Sequence, residues 1–448
     1  MDREPMVFMQ GVTDHLVSPT PGAMPTEQEV DRPRLIHIIF VAGIVMLAAG
    51  LRIYQLSAES LWFDEAATAR IVMSPLDEFF TRFRTTENTP PLHYVVLWIW
   101  TRVFGSSEFS LRMPSVIAGI ASVYLLYQLI RLLGGEWEAL MAALLMACSR
   151  YQIYFSQEAR AYELLVCLSL LSCCAFVQLS REPTRRRQIQ FIIATVLMLY
   201  AHLFAIFVIA AQNIAYLISL ARRPRPTLKW TDWLGVQLAS AAMFLPFVPV
   251  VFGWMTNRGG SFWIRPLTLH DISAAYVSYA GSELLLCVML MLAVLGVMKN
   301  RSKPMAWSLL ISLLLLPVVV PVIASMMLKP LFVARYGIIA SPALFALAAW
   351  GLGAFRPRAL SLSMAAVIAA LSLMAPDVGH KEDWRGVATY VGKWARPGDY
   401  VMINRRDASR AYDYYNRRAD VHVKGFWGPF VTLGVPLPES EHVWLVLY

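Results

Sequence analysis

The stretch Leu61-Trp62-Phe63-Asp64-Glu65-Ala66 places two adjacent carboxylates directly after two aromatic residues, a short distance beyond the long apolar segment Leu35–Ile53. An acidic pair on a short loop between hydrophobic segments is costly to hold near lipid, so it indicates a specific task at a membrane surface. The alternative for Asp64 is a solvated acid that caps the short helix following it. Residues elsewhere in the chain must decide between these interpretations.

The composition of the chain is that of a membrane protein. Of its 448 residues, 57% are hydrophobic and 15% are charged, and apolar segments of about 20 residues recur. The formal net charge of +9 does not indicate a nucleic-acid partner, because most of the basic excess lies in short loops, where it reports topology. The five cysteines fall inside apolar segments, which excludes a disulfide framework. We therefore predict an all-α polytopic membrane protein that contacts lipid and binds no nucleic acid.

About eleven transmembrane helices are predicted from the apolar segments. A polar break at Tyr200-Ala201-His202 divides one long segment into two spans, and the short, Trp-rich run Tyr94–Phe104 fits an interfacial helix better than a crossing. The predicted spans are Leu35–Ile53, Arg112–Leu133, Glu138–Tyr154, Tyr162–Leu179, two within Ile189–Leu220, Trp233–Met255, Leu284–Met298, Met305–Met326, Gly337–Phe355 and Ala359–Met374.

Basic residues in the loops give the orientation. With the first span running outward, the inner loops are Arg131–Glu138, Arg181–Arg187, Arg222–Lys229, Lys299–Lys303 and Arg356–Arg358. Most of them are Lys/Arg clusters, as the positive-inside rule requires, whereas a crossing at Tyr94–Phe104 would put all of them outside. The prediction is a cytoplasmic N-terminus, an extracytoplasmic C-terminus and, in a bacterium, residence in the plasma membrane.

Three regions are expected. Residues 1–34 lack a signal-peptide core and are predicted to be a disordered cytoplasmic tail. Residues 35–375 form the transmembrane module, with residues 54–109 as a first outer loop that carries interfacial helices. Residues 376–448 are predicted to be a small α/β extracytoplasmic domain. Its expected elements are a helix from Lys381 to Trp394, a strand at Tyr400–Asn404, a helix at Ala408–Asn416 and a strand at His442–Tyr448.

This topology places acids and arginines together on the outer face. The charges on the inner face are those that set the orientation of the spans. The outer set comprises Asp64, Glu65, Glu87, His93, Arg112, Glu158, Arg160, His202, Trp263-Ile264-Arg265-Pro266 and Arg335. One reaction that uses such groups is transfer of a sugar from a lipid phosphate. A carboxylate takes the proton from the attacking acceptor hydroxyl, and arginines hold the phosphate and the charge on its leaving oxygen.

Six motifs carry a resemblance to a known family. In chain order they are Leu-Trp-Phe-Asp-Glu from Leu61, Pro-Pro-Leu from Pro90, Ser-Glu-Phe-Ser-Leu-Arg-Met-Pro-Ser from Ser107, Tyr-Phe-Ser-Gln-Glu-Ala-Arg-Ala-Tyr from Tyr154, Tyr-Ala-His-Leu-Phe from Tyr200, and Phe-Val-Ala-Arg-Tyr from Phe332. Over about residues 35–375 the chain resembles glycosyltransferase family 39. This is the GT-C group that includes dolichyl-phosphate-mannose protein mannosyltransferases and lipid A aminoarabinose transferases.

The resemblance implies a GT-C fold and an inverting transferase with a polyprenyl-phosphate-linked sugar as donor. Asp64 then matches the catalytic aspartate of the family, Glu65 completes the acidic pair, and Glu158 matches a second acid. The donor phosphate is expected at Arg112, Arg160, Arg335 and His202. The acceptor or the sugar is expected at Trp62, Glu87, His93, Tyr162 and Tyr336.

Two departures leave the substrates open. The chain has Thr89-Pro90 where the aminoarabinose transferases have Lys-Pro, which leaves the sugar undetermined. It also lacks the β-trefoil insertion of the protein mannosyltransferases, so the acceptor is a glycan, a lipid or a protein. The sequence leaves a divalent metal ion near Asp64 open, but it contains no recognisable ligand cluster, and no metal ligand or cofactor is predicted.

Each candidate residue has a plainer alternative. For Arg112 and Arg335 it is snorkelling to lipid headgroups, and for Glu158 and Arg160 it is capping of the fourth span. For His202 the alternative is satisfying backbone groups at the helix break. The tryptophans that alternatively serve as interfacial anchors are Trp62, Trp98 and Trp100.

Two rival classes of protein remain. A lipid or glycan transporter or flippase also uses intramembrane charges and broken helices, and the pair of spans around Tyr200 is broken. The sequence, however, shows no second broken pair of inverted topology, and its polar groups lie at one face. A structural subunit of a polysaccharide complex would leave the Asp64-Glu65 pair without a role.

Overall fold

The computed structural model describes residues 27–87, 89–221, 227–256, 266–327, 330, 332–376, 378–404, 408–426 and 442–446. The chain divides into two compact units, Met1–Ala42 and Gly43–Tyr448, and the site described below lies in the second. The first ten helices are α1 Glu27–Ile53, α2 Phe63–Val72, α3 Leu76–Thr86, α4 Leu92–Phe104, α5 Glu108–Leu133, α6 Glu136–Ala147, α7 Arg150–Ser156, α8 Tyr162–Arg181, α9 Arg185–Ala201 and α10 Ala205–Leu220.

The remaining helices complete the bundle and lead into a small sheet. They are α11 Trp230–Phe244, α12 Val248–Thr256, α13 His270–Ala280, α14 Glu283–Lys299, α15 Pro304–Met327, α16 Ala340–Leu352, α17 Arg358–Leu373, α18 Trp384–Trp394 and α19 Ser409–Tyr415. Two 3₁₀ turns, Leu245–Phe247 and Ala334–Gly337, lie between helices. The strands are β1 Tyr400–Asn404, β2 His422–Phe426 and β3 Val443–Val446. The predicted all-α membrane module with a small α/β domain is confirmed.

Several helices are long and apolar enough to cross a bilayer, so the chain is an integral membrane protein. Within the described ranges four helices meet this test: Glu108–Leu133, Tyr162–Arg181, Trp230–Trp254 and Pro304–Met327. The pair α13 and α14 makes a fifth if its 88° bend lies within one span. The shorter apolar helices are His37–Ile53, Leu92–Phe104, Ala205–Leu220, Ala340–Leu352 and Arg358–Leu373. The count of about eleven spans stays a prediction.

The bend between α13 and α14 is made at Gly281, whose φ is +98°. Side chains with a Cβ are strained in this left-handed region, and a Cβ at Gly281 would also lie 2.8 Å from Ala375 Cβ. Ser282 then caps the next helix, since its hydroxyl accepts the backbone N–H of Leu285. The helix α13 itself was not predicted from the sequence.

Close backbone approach fixes the pairing of α14 with α16. A Cβ at Gly351 would lie 2.0 Å from Leu292 O, and one at Gly296 would lie 2.7 Å from Leu347 O. Small residues at such contacts let membrane helices pack tightly where no hydrophobic effect drives them together. The other extensive helix pairs are α5 with α8 and α10 with α15.

The helical boundaries differ from the sequence-based prediction at three places. The first helix begins at Glu27, inside the region 1–34 that was expected to be disordered, and residues 1–26 lie outside the described residues. The predicted span Glu138–Tyr154 is two helices, because α6 ends at Ala147 and Ser149 caps the next helix by accepting the Gln152 N–H. The predicted span Trp233–Met255 is interrupted by the 3₁₀ turn at Leu245–Phe247, which contains a proline.

The described part of residues 54–109 contains three helices, α2 to α4. The helix predicted at Tyr94–Phe104 is α4, and the short helix expected after Asp64 is α2. The N-cap of α2 is Trp62, and it makes no side-chain capping bond. Asp64 and Glu65 lie in the first turn of α2, where carboxylates interact favourably with the helix dipole. Capping by Asp64, the alternative considered above, is therefore wrong.

Within the described residues the C-terminal domain contains a parallel sheet of three strands in the order β2-β1-β3. Its elements β1, α18, α19 and β3 were predicted, and β2 was missed. The buried core of the domain includes Trp384, Val401 and Tyr412, and Ala66 of α2 belongs to the same cluster. The domain is thus seated on the helix that carries the acidic pair.

Candidate active site

Five segments of the chain meet at the acidic pair. They are the first turn of α2, the start of α5, the loop between α7 and α8, the 3₁₀ turn at Ala334–Gly337 and the segment that precedes α18. The sequence arranges the start of α5 through Ser107, which caps the helix by accepting the Ser110 N–H at 3.2 Å. This cap places Arg112 one turn inside the helix, within reach of α2.

Glu65 is the buried centre of the cluster, with none of its surface exposed. Its Oε1 accepts Arg112 Nε and the backbone N–H of Ala159, both at 2.9 Å. Its Oε2 accepts Arg112 Nη2 at 2.8 Å and Lys381 Nζ at 3.1 Å. Burial alone would raise the pKa of Glu65, but Lys381 and Arg112, with the Ala159 N–H, outweigh it and hold the pKa at about 2. Glu65 is therefore an ionised carboxylate whose two oxygens each accept two bonds.

Arg112 is also buried, and its donors are directed into the protein. Besides the two bonds to Glu65, Nη1 donates to Leu56 O at 2.7 Å and to Glu59 O at 2.9 Å. Nη2 donates to Ser60 O at 3.0 Å. A guanidinium has five N–H groups, and five hydrogen bonds to protein oxygens account for them. Neither snorkelling to headgroups nor the predicted contact with a phosphate agrees with this geometry.

Asp64, the neighbour of Glu65, is in a different environment. Its Oδ2 lies 3.3 Å from Arg335 Nη2, and its side chain is 17% exposed. Asp64 O accepts Thr68 Oγ1 at 3.0 Å and Arg160 Nη1 at 3.4 Å, which fixes the backbone of this turn. The carboxylate of Asp64 thus reaches an accessible space beside a cation, whereas that of Glu65 does not.

Arg335 lies among aromatic rings at the same place. Its guanidinium carbon is 5.4 Å from the Trp62 ring centroid, 6.0 Å from that of Tyr162 and 5.9 Å from that of Tyr336. These are cation–π distances. The carboxylate and tyrosines that surround Arg335 raise its pKa despite its burial, so it remains a cation. Three of the predicted sugar or acceptor residues therefore surround one predicted phosphate ligand.

His202 extends this aromatic group. Its ring centroid is 5.5 Å from that of Tyr336 and 6.5 Å from that of Tyr162. Its Nδ1 accepts the backbone N–H of Phe204 at 3.2 Å, just after α9 ends at Ala201. The suggestion that His202 satisfies backbone at the helix break thus agrees with the structure. Its contact with Tyr336 also places it beside the Arg335 group.

Arg160 joins the loop between α7 and α8 to the segment that carries α2 to α4. Its Nη1 donates to Thr68 Oγ1 at 3.0 Å and to Tyr94 OH at 3.2 Å, and it lies 3.5 Å from Glu87 Oε1. Glu87 is 8% exposed, so the predicted acceptor residue Glu87 forms a partly buried ion pair with Arg160. His93, another predicted acceptor residue, is 3% exposed, and its ring contacts that of Tyr94.

Glu158 lies in the loop between α7 and α8, with 1% of its surface exposed. Its Oε2 has no hydrogen-bond partner among the described residues. Burial raises the pKa of Glu158 to about 7, against the opposing charge of Lys381 and with repulsion from Glu65. Glu158 is not the cap of α8, which begins after Ala161 without a side-chain cap. It is a buried carboxyl that changes protonation near neutral pH.

Lys381 was not singled out by the sequence. It precedes α18, and its ammonium is 3% exposed, between Glu65 and Gln157. Arg385, one turn further on, pairs with Glu108 at 2.5 Å, and Tyr415 also donates to Glu108. The C-terminal domain is therefore docked by charged groups as well as by its apolar core. No local sequence signal distinguishes Lys381 from the other lysines of the chain.

Two further expectations concern residues at this face. Trp263-Ile264-Arg265 lies outside the described residues. Among the described residues no group of three or more His, Cys, Asp or Glu side chains is arranged to hold a metal ion. Asp64 pairs with Arg335, and Glu65 has four hydrogen-bond donors already, so these carboxylates do not fit a divalent ion in this arrangement, and no step is derived through one.

The helical bundle, with its charged loops and the small domain after the last apolar helix, has the fold of solved GT-C proteins. The chain is similar to ArnT from Cupriavidus metallidurans bound to undecaprenyl phosphate, with a TM-score of 0.54, 16% identity, and 79% of this chain and 68% of that chain covered. It is also similar to the archaeal oligosaccharyltransferase AglB from Archaeoglobus fulgidus in complex with an inhibitory peptide and a dolichol-phosphate. For AglB the TM-score is 0.56, the identity 10%, and the coverage 89% of this chain and 65% of that chain.

Sequence comparisons agree with the fold. The family model of dolichyl-phosphate-mannose-protein mannosyltransferase matches residues 88–252. The putative mannosyltransferase YkcB of Bacillus subtilis (strain 168) is 29% identical over 140 residues, which are 29% of this chain and 19% of that protein. The chain thus matches about a fifth of the length of this curated relative. Residues 88–252 are thus similar to mannosyltransferases in sequence, and the solved structures share the fold of the chain.

Proposed function

We propose that the protein is an inverting membrane glycosyltransferase that moves a sugar from a polyprenyl-phosphate donor to an acceptor hydroxyl at the outer membrane face. The observation that carries this proposal is the pairing of a partly exposed carboxylate, Asp64, with a cation, Arg335, in a setting of aromatic rings. A base and a phosphate-binding cation side by side are the two groups that such a displacement needs.

In the proposed reaction Asp64 accepts the proton of the acceptor hydroxyl as its oxygen attacks the anomeric carbon. The bond between the anomeric carbon and the phosphate oxygen breaks on the opposite face, so the configuration inverts. Polyprenyl phosphate leaves with the bonding electron pair, and Arg335 stabilises the charge on its oxygen by charge-assisted hydrogen bonds. No second proton donor is required, because the phosphate is a stable anion.

The aromatic residues around Arg335 suit the sugar. Trp62, Tyr162 and Tyr336 form a cluster of rings against the guanidinium, and aromatic faces pack well against the C–H faces of a sugar. We therefore assign these three residues to the donor sugar. His202 lies behind Tyr336 and is assigned to the support of this group.

Glu65 and Arg112 receive a structural role in this proposal. Both are buried, and the hydrogen bonds between them and the backbone leave neither free for substrate. Glu65 orients α2 so that Asp64 faces Arg335. Arg112, at the start of α5, donates hydrogen bonds to backbone carbonyls of the segment before α2. Arg160 and Glu87 likewise hold the two outer loops together.

A lipid-linked donor is supported by the solved relatives. One has undecaprenyl phosphate bound and another has dolichol-phosphate bound, and both share the fold of this chain. The family model that matches residues 88–252 is named for a dolichyl-phosphate-mannose-dependent enzyme. The acceptor is taken to be a glycan, a lipid or a protein hydroxyl. The active face and the C-terminal domain are proposed to be extracytoplasmic, since the inner loops carry the Lys/Arg clusters.

A transporter or flippase is the second candidate, favoured by the 88° bend between α13 and α14. Transporters of inverted-repeat architecture use broken helices in related pairs at mid-membrane. Among the described residues this is the one pair with such a bend, and the charged groups above lie in loops and at helix starts. The geometry therefore favours an enzyme.

A membrane assay with radiolabelled polyprenyl-phosphate sugars separates the two candidates. Membranes that contain the protein should release polyprenyl phosphate and transfer label to an acceptor fraction, and membranes with Asp64→Asn should not. Asp77→Asn is the matched control, because Asp77 is an exposed acid in the first turn of α3. Movement of labelled lipid across the bilayer without release of polyprenyl phosphate would instead identify a transporter.

A further inference from the structure

Lys381 brings the C-terminal domain into direct contact with the acidic cluster. Its Nζ donates to Glu65 Oε2 at 3.1 Å and to Gln157 O at 3.0 Å, and it lies 5.7 Å from the centroid of the Tyr154 ring. The side chain is 3% exposed. A buried ammonium is retained at such a place only if its charge is matched, and Glu65 provides the match.

The two bonds of Lys381 join segments that have separate tasks. Glu65 is next to Asp64 on α2, and Gln157 is next to Glu158 in the loop before α8. The Gln157 side chain in turn donates to Arg52 O at 3.0 Å and to Tyr54 O at 2.8 Å. The ammonium therefore fixes the distance between the proposed base and the loop that carries Glu158.

We propose that Lys381 is a positioning residue of the transfer reaction, so that the C-terminal domain completes the active site and is more than an appended module. This inference rests on the proposed function. Lys381 acts through Glu65 and through the loop at Gln157, and it does not touch the reacting atoms.

The charge of Lys381 also acts on Glu158. The charged groups that face Glu158 are Lys381, Glu65, Arg335 and Asp64, and the neutral phenols beside it are Tyr151 and Tyr154. Lys381 is the strongest of the charges that oppose the rise in the pKa of Glu158 caused by burial. Without the positive charge of Lys381, the repulsion between Glu158 and Glu65 is opposed by one cation fewer. The pKa of Glu158 should then rise further, and any limb of the pH profile that reports Glu158 should move to higher pH.

If Lys381 served only to dock the domain, removal of another docking contact should have the same effect. The domain has other such contacts. Arg385 pairs with Glu108, Tyr415 accepts the Leu61 N–H at 2.6 Å, and Ala66 lies in the core of the domain. Loss of docking can therefore be produced without touching Glu65 or Glu158. Arg385→Gln is the matched control, since it removes one charged contact of the same helix start.

The experiment compares Lys381→Gln, Lys381→Arg and Arg385→Gln in the full-length protein by transfer kinetics across the neutral pH range. Lys381→Gln should lower kcat by about tenfold or more, since small misplacements of reacting groups have effects of this size or larger. KM for the donor should change little. The pH limb should move to higher pH, and Lys381→Arg should restore both kcat and the limb in part. Arg385→Gln should lower the melting temperature and leave the pH limb in place.

Two results would overturn the inference. One is a Lys381→Gln enzyme with the parental kcat and pH profile. The other is a loss of kcat with an unmoved limb that Arg385→Gln reproduces, since this is the signature of docking alone. A second measurement does not depend on turnover: infrared titration of the Glu158 carboxyl band, assigned by its absence in Glu158→Gln, should show a higher midpoint in Lys381→Gln. An unchanged midpoint counts against the inference. A parent protein without transfer would defeat the proposed function itself, which is a distinguishable failure.

Discussion

Asp64 Oδ2 and Arg335 Nη2 lie 3.3 Å apart, although 271 positions separate the two residues in the chain. Glu65, the next residue after Asp64, is directed instead toward Arg112 and Lys381. Successive residues of an α-helix point about 100° apart. The side chains of the two adjacent acids in the first turn of α2 therefore contact different parts of the protein. One carboxylate faces an accessible space beside a cation, and the other is buried and fully bonded.

The first prediction concerns Asp64 as the base. Asp64→Asn keeps the shape of the side chain but removes the basic oxygen, so transfer should fall by about 10²–10⁴-fold while donor binding survives. Single-turnover transfer and equilibrium binding of the lipid donor, measured on the same preparation, check both halves. An Asp64→Asn protein that transfers sugar at the parental rate would move the base to another residue, with Glu158 as the next candidate.

Glu65→Gln should act mainly on stability. The substitution leaves Arg112 and Lys381 buried with a neutral partner, and breaking a buried ion pair from one side typically costs about 3–5 kcal/mol. Thermal unfolding in detergent should therefore show a large fall in melting temperature for Glu65→Gln. The fall should be small for Asp64→Asn, since the Asp64 carboxylate is partly exposed. The reverse order of the two melting temperatures would contradict the structural role of Glu65.

Much of the architecture follows from local sequence patterns. Apolar length predicts the membrane helices, and short apolar runs predict β1 and β3. Each of these signals lies within one continuous stretch of the chain. The strand β2 was missed because His422-Val423-Lys424-Gly425-Phe426 is short, polar and contains glycine. The helix α2 was expected only as a short helix after Asp64, without bounds, because its ten residues show little amphipathic pattern.

The sequence brought out several of the residues that lie at the candidate site, but not their contacts. Asp64, Arg335 and Tyr336 were recognised from their motifs and do lie together. Arg112 was expected to bind the phosphate, whereas its N–H groups bond oxygens of the protein. No sequence pattern reveals which oxygens will receive these N–H groups. Lys381 was missed for a related reason: its partner Glu65 is 316 positions away. Such contacts depend on how the C-terminal domain docks, which is a property of tertiary packing.

Arg335 should be needed for donor binding. Charge-assisted hydrogen bonds contribute about 1.5–3 kcal/mol each, so Arg335→Ala should weaken binding of the polyprenyl-phosphate sugar by about ten- to a hundredfold. Arg112 provides the contrast: because its donors bond within the protein, Arg112→Ala should lower stability and leave the affinity of the folded fraction unchanged. Unaltered donor affinity in Arg335→Ala would mean that Arg335 serves only to anchor the chain at lipid headgroups.

The orientation of the chain is tested by reporter fusions. A reporter inserted after Arg187, in a basic loop, should be cytoplasmic, and one after Gly379 should be extracytoplasmic. The physical reason is the retention of Lys/Arg clusters on the cytoplasmic side. Paired phosphatase and fluorescent-protein fusions at both positions give opposite signals for the two compartments. The inverse pattern would place every residue of the proposed site on the cytoplasmic face.

The last prediction concerns the pH dependence of stability at Glu158. The pKa of Glu158 is raised from 4.5 to about 7 by burial, so the folded protein keeps a proton there that the unfolded chain has lost. Between these two values the unfolded state binds fewer protons, and the free energy of unfolding falls as the pH rises, by at most about 1.4 kcal/mol per pH unit for one group. Below pH 4.5 and above pH 7 the contribution is constant.

Glu158→Gln removes this titration. The variant should match the parent near pH 4.5 and exceed it in melting temperature at and above pH 7. Glu65 does not interfere, because its pKa is lowered to about 2 and its own contribution is lost only as the pH falls below 4.5. Glu78→Gln is the control, since Glu78 is a half-exposed acid that pairs with Arg82 on α3. Parallel melting curves for Glu158→Gln and the parent across this window would mean that Glu158 is solvated in the folded protein, and its assignment to the buried cluster would then be wrong.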